Sequence, residues 1–89
     1  MARYMAIGDA PGITEEGFRG ALGEIRKWRF DRRGWIIKAY CNVDQGKIVA
    51  ECEASDQQQF ESWLAKTGWK INGVYRVNYI HEAAAIWPV

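Results

Sequence analysis

Two cysteines, two prolines and one histidine leave this 89-residue chain little from which to build a disulfide framework or a proline-rich linker, and only the acidic residues to add to Cys41, Cys52 and His81 as metal ligands. Cys41 and Cys52 are too few for a disulfide scaffold and lack the CxxC spacing of a redox or metal motif. No apolar run approaches the roughly 20 residues of a membrane span, which predicts no membrane partner. The first residues lack a secretory signal pattern, so a cytoplasmic protein is expected. Charge of one sign is also missing. Twelve basic and eleven acidic residues leave a net charge of +1, which gives no global field to attract nucleic acid. There is no linker, internal repeat or low-complexity stretch.

Large rings are abundant: five Trp, four Tyr and three Phe. A domain this short buries only about 60–65% of its unfolded surface, so these rings and association with a partner are its means of adding to a small core. Arg3 to Gly8 predicts a first strand, stopped by the turn formers Gly8-Asp9-Ala10-Pro11-Gly12. Thr14 is placed to cap a helix with Glu15 and Glu16 in its first turn, where the helix dipole favours negative charge. Phe18, Ala21, Leu22, Ile25 and Trp28 recur at helical spacing and form its apolar stripe. The basic cluster Arg26-Lys27, Arg29 and Arg32-Arg33 suits the end of that helix, where cations complement the dipole.

Trp35 to Val43 and Lys47 to Ala54 predict a hairpin turning at Gln45-Gly46, with Lys38 opposite Glu53, Tyr40 opposite Glu51 and Asn42 opposite Val49. Ser55-x-x-Gln58 has capping-box spacing ahead of a second helix with Phe60, Trp63 and Leu64 on its buried stripe. Asn72-Gly73 then turns the chain into a last strand, Val74 to His81. The order strand-helix-strand-strand-helix-strand predicts an α+β, ferredoxin-like βαββαβ sandwich: a four-stranded antiparallel sheet with two helices on one face. Residues 1–82 would form this domain and residues 83–89 an apolar C-terminal tail.

The uncovered sheet face is where a function is expected. On it the pattern places Tyr4, Lys38, Tyr40, Glu51, Glu53, Arg76 and Asn78. Tyr4, Tyr40, Glu51, Arg76 and Asn78 are the candidate ligand-binding residues, because they combine phenols, a carboxylate, a guanidinium and an amide. His81 is the candidate metal ligand. On the predicted register Cys41 and Cys52 are diagonal neighbours about 7–8 Å apart. His81 stands two strand spacings, about 9.6 Å, from Cys52, so one subunit does not gather these donors on one ion. The third strand, Lys47-Ile48-Val49-Ala50-Glu51-Cys52-Glu53, has no stacking aromatic and carries two outward glutamates, which speaks against RNA.

Arg3-Tyr4-Met5 leading to Pro11-Gly12, Trp35 followed by Lys38-Ala39-Tyr40, Asp44-Gln45-Gly46-Lys47-Ile48, Cys52-Glu53-Ala54-Ser55-Asp56, and Gly68 with Val74-Tyr75-Arg76-Val77 together resemble a family of small ferredoxin-like proteins, some of them nickel-binding. A broader similarity is to dimeric α/β-barrel proteins, whose sheets pack face to face around small-molecule pockets. The polar and aromatic open face together with the apolar tail of so small a domain predict a homodimer that binds a small molecule or a divalent metal through that face. Two alternatives stand beside it. One is a cofactor-independent monooxygenase or isomerase, with Glu51 or His81 as base and Tyr40 or Arg76 stabilising an oxyanion. The other is a protein–protein interaction module.

Overall fold

A computed structural model describes residues 2–27 and 35–89, with side chains omitted for residues 25–27 and 35. The predicted roles of Ile25, Trp28 and the basic residues from Arg26 to Arg33 therefore lie outside the described residues. The chain forms β1 (Ala2–Asp9), α1 (Glu15–Lys27), β2 (Trp35–Asn42), β3 (Lys47–Ala54), α2 (Gln57–Leu64), β4 (Lys70–Arg76), β5 (Tyr79–Glu82) and β6 (Ala85–Pro88). The first four strands along this list, β1 to β4, make one antiparallel sheet in the order β2-β3-β1-β4. Strands β5 and β6 pair only with each other among the described residues. The result is an α+β domain of two helices on a four-stranded sheet, with a C-terminal hairpin.

Local chemistry explains the element ends. Thr14 Oγ1 accepts a hydrogen bond from the Gly17 amide at 3.0 Å, so it caps α1 as its position predicts. The cap of α2 falls one residue later than the Ser55 spacing suggests. Asp56 accepts from the Gln59 amide at 2.8 Å, while the Gln59 side chain accepts from the Ser55 amide at 2.8 Å.

The β2–β3 turn differs from the predicted two-residue loop. Asn42 pairs with Lys47, leaving a four-residue turn that the Asn42 side chain holds by accepting from the Gln45 amide at 3.0 Å. The pairing is therefore Lys38 with Glu51, Tyr40 with Val49 and Cys41 with Ile48, and the register shifts at a bulge between Ile36 and Lys38. This corrects the predicted pairs by two residues. Because strand side chains alternate with period two, the shift leaves every β2 side chain from Lys38 onward on its expected face.

The core has a small-residue floor. Tyr4, Ala6, Ala50, Cys52 and Ala54 are buried on one face of the sheet, and Phe60, Trp63 and Leu64 of α2 press onto them. Leu22 of α1 joins the same cluster, so both helices cover one face. Alanine and cysteine at the floor let the large helix residues approach closely. Phe60 reaches Tyr4 with ring centroids 6.5 Å apart, and Phe18 of α1 stacks on Trp69 at 5.9 Å.

Two expectations for the outer face fail for this reason. Tyr4 is not on the open face: it lies opposite Cys52 and is buried under α2. Arg76 lies opposite Tyr4, so it too belongs to the helix side, exposed at the strand end. The last strand of the main sheet begins at Lys70 and ends at Arg76, earlier than the predicted Val74 to His81. Its parity is set by Met5 pairing with Tyr75, which turns Tyr75 outward. Asn78 falls between β4 and β5, and the apolar segment after Glu82 supplies a hairpin turn and the strand β6.

Candidate functional site

The registers lay the open face out in rows that cross the sheet from β2 to β4. Adjacent strands are about 4.8 Å apart and successive rows about 6.7 Å apart. One row reads Tyr40, Val49, Ile7 and Gly73. Gly73 has no side chain to offer, and the Tyr75 ring fills its place: a β-carbon at Gly73 would stand 2.3 Å from the Tyr75 hydroxyl. The row is thus a continuous apolar band with a tyrosine at each end. Ile7 is 41% exposed, Tyr40 52% and Tyr75 54%.

Polar rows bound this band. Above it stand Asn42, Lys47, Asp9 and Lys70. Asp9 bonds Lys47 on one neighbouring strand and accepts from Asn72 Nδ2 at 2.8 Å on the other, tying three strands at one point. Those two hydrogen bonds, chiefly the one from Lys47, hold the Asp9 carboxyl below its ordinary 3.8. Below the band stand Lys38, Glu51, Met5 and Tyr75. The Lys38 ammonium sits 5.5 Å from the centre of the Tyr40 ring. Hydrogen bonding to Tyr40 first, then the charges of Glu51 and Glu82, raise Lys38 above its ordinary 10.5 and keep it cationic. Further down, Arg3 pairs with Glu53 at 3.3 Å.

Of the five predicted ligand residues, the structure brings together Tyr40 and Glu51, on neighbouring strands of the open face. Tyr4 is in the core, Arg76 faces the helix side, and Asn78 lies in the connection to the hairpin, where its carbonyl accepts from the Val89 amide at 2.8 Å. Arg76 therefore does not share a face with Tyr40 or Glu51. The residues missed by the pattern are Met5, Ile7 and Tyr75. The burial of Ala6, Ala50 and Cys52 beneath the bulky α2 stripe was the signal that could have found them, because turning Ala6 inward turns its neighbours Met5 and Ile7 outward.

His81 is exposed on β5 opposite Ile86. Cys52 is buried, and Cys41, paired with Ile48, is four residues along the ladder from it, roughly 13 Å at strand spacing. Among the described residues no group of three His, Cys, Asp or Glu side chains converges as a metal cage. A separate groove of about 420 Å³ runs between α2 and β4, lined by Glu61, Leu64, Ala65, Trp69, Ile71 and Val74 among others. No helix among the described residues is long and apolar enough to cross a membrane.

No family model and no curated protein matches this chain. Among solved structures, the crystal structure of SCO4226 from Streptomyces coelicolor A3(2) is similar, with a TM-score of 0.74 at 18% identity over 85% of this chain and 95% of that one. That likeness concerns the fold.

Proposed function

We propose that this chain is a homodimeric small-ligand-binding protein of ferredoxin-like fold, with the ligand held between the open sheet faces of two copies. The observation that carries this reading is the exposed row Tyr40, Val49, Ile7 and Tyr75 between two polar rows. A half-exposed apolar band of this kind is a liability on a lone small domain and a natural floor for a pocket when a second sheet packs about 10 Å above it. Tyr40 and Tyr75 supply aromatic contacts, while Lys38 and Glu51 supply polar anchors at one edge. The fitting ligand is a small planar molecule with an apolar body and one polar end. A divalent metal, as in the nickel-binding proteins of the family this chain resembles, would draw its donors from both copies, with His81 the imidazole each contributes.

Light scattering at micromolar concentration tests the dimer. A dimer mass that falls to a monomer mass in Ile7→Asp supports the reading, and a wild-type monomer overturns it. Thermal shift against a panel of planar aromatic acids and amines, and against nickel, tests the ligand. A stabilising compound whose effect is lost in Tyr40→Ala supports the open face. An effect retained in full by Tyr40→Ala and Ile7→Asp moves the ligand elsewhere.

A further inference from the structure

The two features that the open face does not absorb are the C-terminal hairpin and the groove beside β4. A two-stranded hairpin is marginal by itself in water. This one turns through Ala83 and Ala84, both in the left-handed region with φ of 52° and 63°, a conformation that favours glycine. It also exposes Tyr79 at 70%, Ile86 at 67% and Trp87 at 47%. Strand β6 has one edge paired to β5 and, among the described residues, none to the main sheet. At the other end of the molecule's needs, β4 is an edge strand, and the groove between it and α2 has an apolar bed of Leu64, Trp69, Ile71 and Val74.

We infer that these two features are halves of one contact, in which β6 of a second copy adds to the edge of β4 and sends an apolar side chain, Ile86 or Trp87, into the α2–β4 groove. Each chain gives one arm and receives one, so the exchange closes with two-fold symmetry. The strand addition is antiparallel. Glu82, opposite Ala85 on the far side of β6, then stands two strand spacings, about 9.6 Å, from Arg76 at the end of β4, a gap that an arginine and a glutamate side chain can span over the small Ala85. The size is also adequate. Ile86 and Trp87 point to opposite faces of β6, so one fills the groove and the other covers the open-face side of the β4 edge at Tyr75; together they hide roughly 230 Å² per arm and about as much on the receiving chain, so two arms approach 1,000 Å² before the strand backbones are added. The inference shares with the proposed function only the existence of a dimer; the surface it uses is different.

Complementation tests it. Ile86→Asp with Trp87→Ala disables the arm, and Ala65→Arg, at an exposed position lining the groove, blocks the receiver. Each variant alone is expected to dissociate at least tenfold more readily by light scattering. Mixing the two leaves one intact arm and one intact groove per pair, and is expected to restore association partly. Arg76→Glu is expected to weaken the dimer and Glu82→Arg in the same chain to recover it. Circular dichroism confirms that each variant is folded, and a variant that is not is replaced by the charge-reversal pair. If the arm and groove variants stay dimeric while Ile7→Asp is monomeric, the arm inference is overturned and the face reading stands. If Ile7→Asp stays dimeric while the arm variants dissociate, the face reading falls and the arm contact stands. Loss of association in both single variants without recovery in the mixture also overturns the exchange.

Discussion

The Cys52 thiol is enclosed by the sheet floor and α2, and burial, reinforced by the negative charge of Glu53, pushes it up to about 12 from an ordinary 9.0. A folded thiol that holds its proton this tightly is inert. Ellman's reagent is expected to titrate Cys41, which is partly exposed, in the native protein and to reach Cys52 only after unfolding. Both cysteines reacting at one rate in buffer would refute the enclosure. The same raised value stabilises the fold fully below about pH 9, and that contribution is lost by about 1.4 kcal/mol per pH unit as pH rises from 9.0 toward 12. Asp9 has the opposite sign. Its folded carboxyl is depressed, so its contribution is present above the ordinary 3.8 and lost as pH falls through the lower folded value. Carbon-detected NMR titration should place the Asp9 midpoint below 3.8, and Lys47→Ala should move it back up. An unchanged midpoint in that variant would remove Lys47 as the main cause.

At the level of elements, the glycines separate positions that need a hydrogen from positions that tolerate a methyl. A β-carbon at Gly8 would stand 2.6 Å from the Lys70 carbonyl oxygen, beside the irregularity where β1 meets β4. Gly8→Ala is therefore expected to cost about 1–3 kcal/mol, read as a lower urea midpoint. In α1 the space around Gly20 is open, so nothing there requires the missing side chain. Gly20→Ala should stabilise the fold by up to about 1 kcal/mol through helix propensity alone, read as a higher urea midpoint. The hairpin turn follows similar logic. Replacing Ala83-Ala84 by Asn-Gly supplies residues suited to positive φ at both positions, and amide exchange in β5 and β6 should slow several-fold. Exchange that is unchanged or faster would mean that the turn does not limit the hairpin.

For the whole molecule, the proposed association has a thermodynamic consequence. Among the described residues nine large hydrophobic side chains are exposed, and seven of them (Ile7, Tyr40, Tyr75, Tyr79, Ile86, Trp87 and Val89) lie on the open face or in the C-terminal segment. A dimer that buries them ties stability to mass action, so the melting temperature should rise with protein concentration over a hundredfold range. A concentration-independent melt would argue against a dimer coupled to folding. How much was legible beforehand divides along a physical line. Composition and periodicity determined the element order as far as β4, the α2 stripe, Phe18 and Leu22 of the α1 stripe, the apolar face of β3 and the outward placement of Tyr40 and Glu51, because helix and strand periods are local and each element carries its own record of them; the β5–β6 hairpin stands where an apolar tail was expected. The sequence could not decide the parity of β1 and β4. Both strands carry large side chains on alternating positions of either face, and local pattern cannot say which set meets the helices. Only tertiary packing decided it: Phe60, Trp63 and Leu64 need a shallow floor, so the side of β1 with Ala6 and Gly8 turned inward, Tyr4 went with it, and Met5, Ile7 and Tyr75 were left to form the open face.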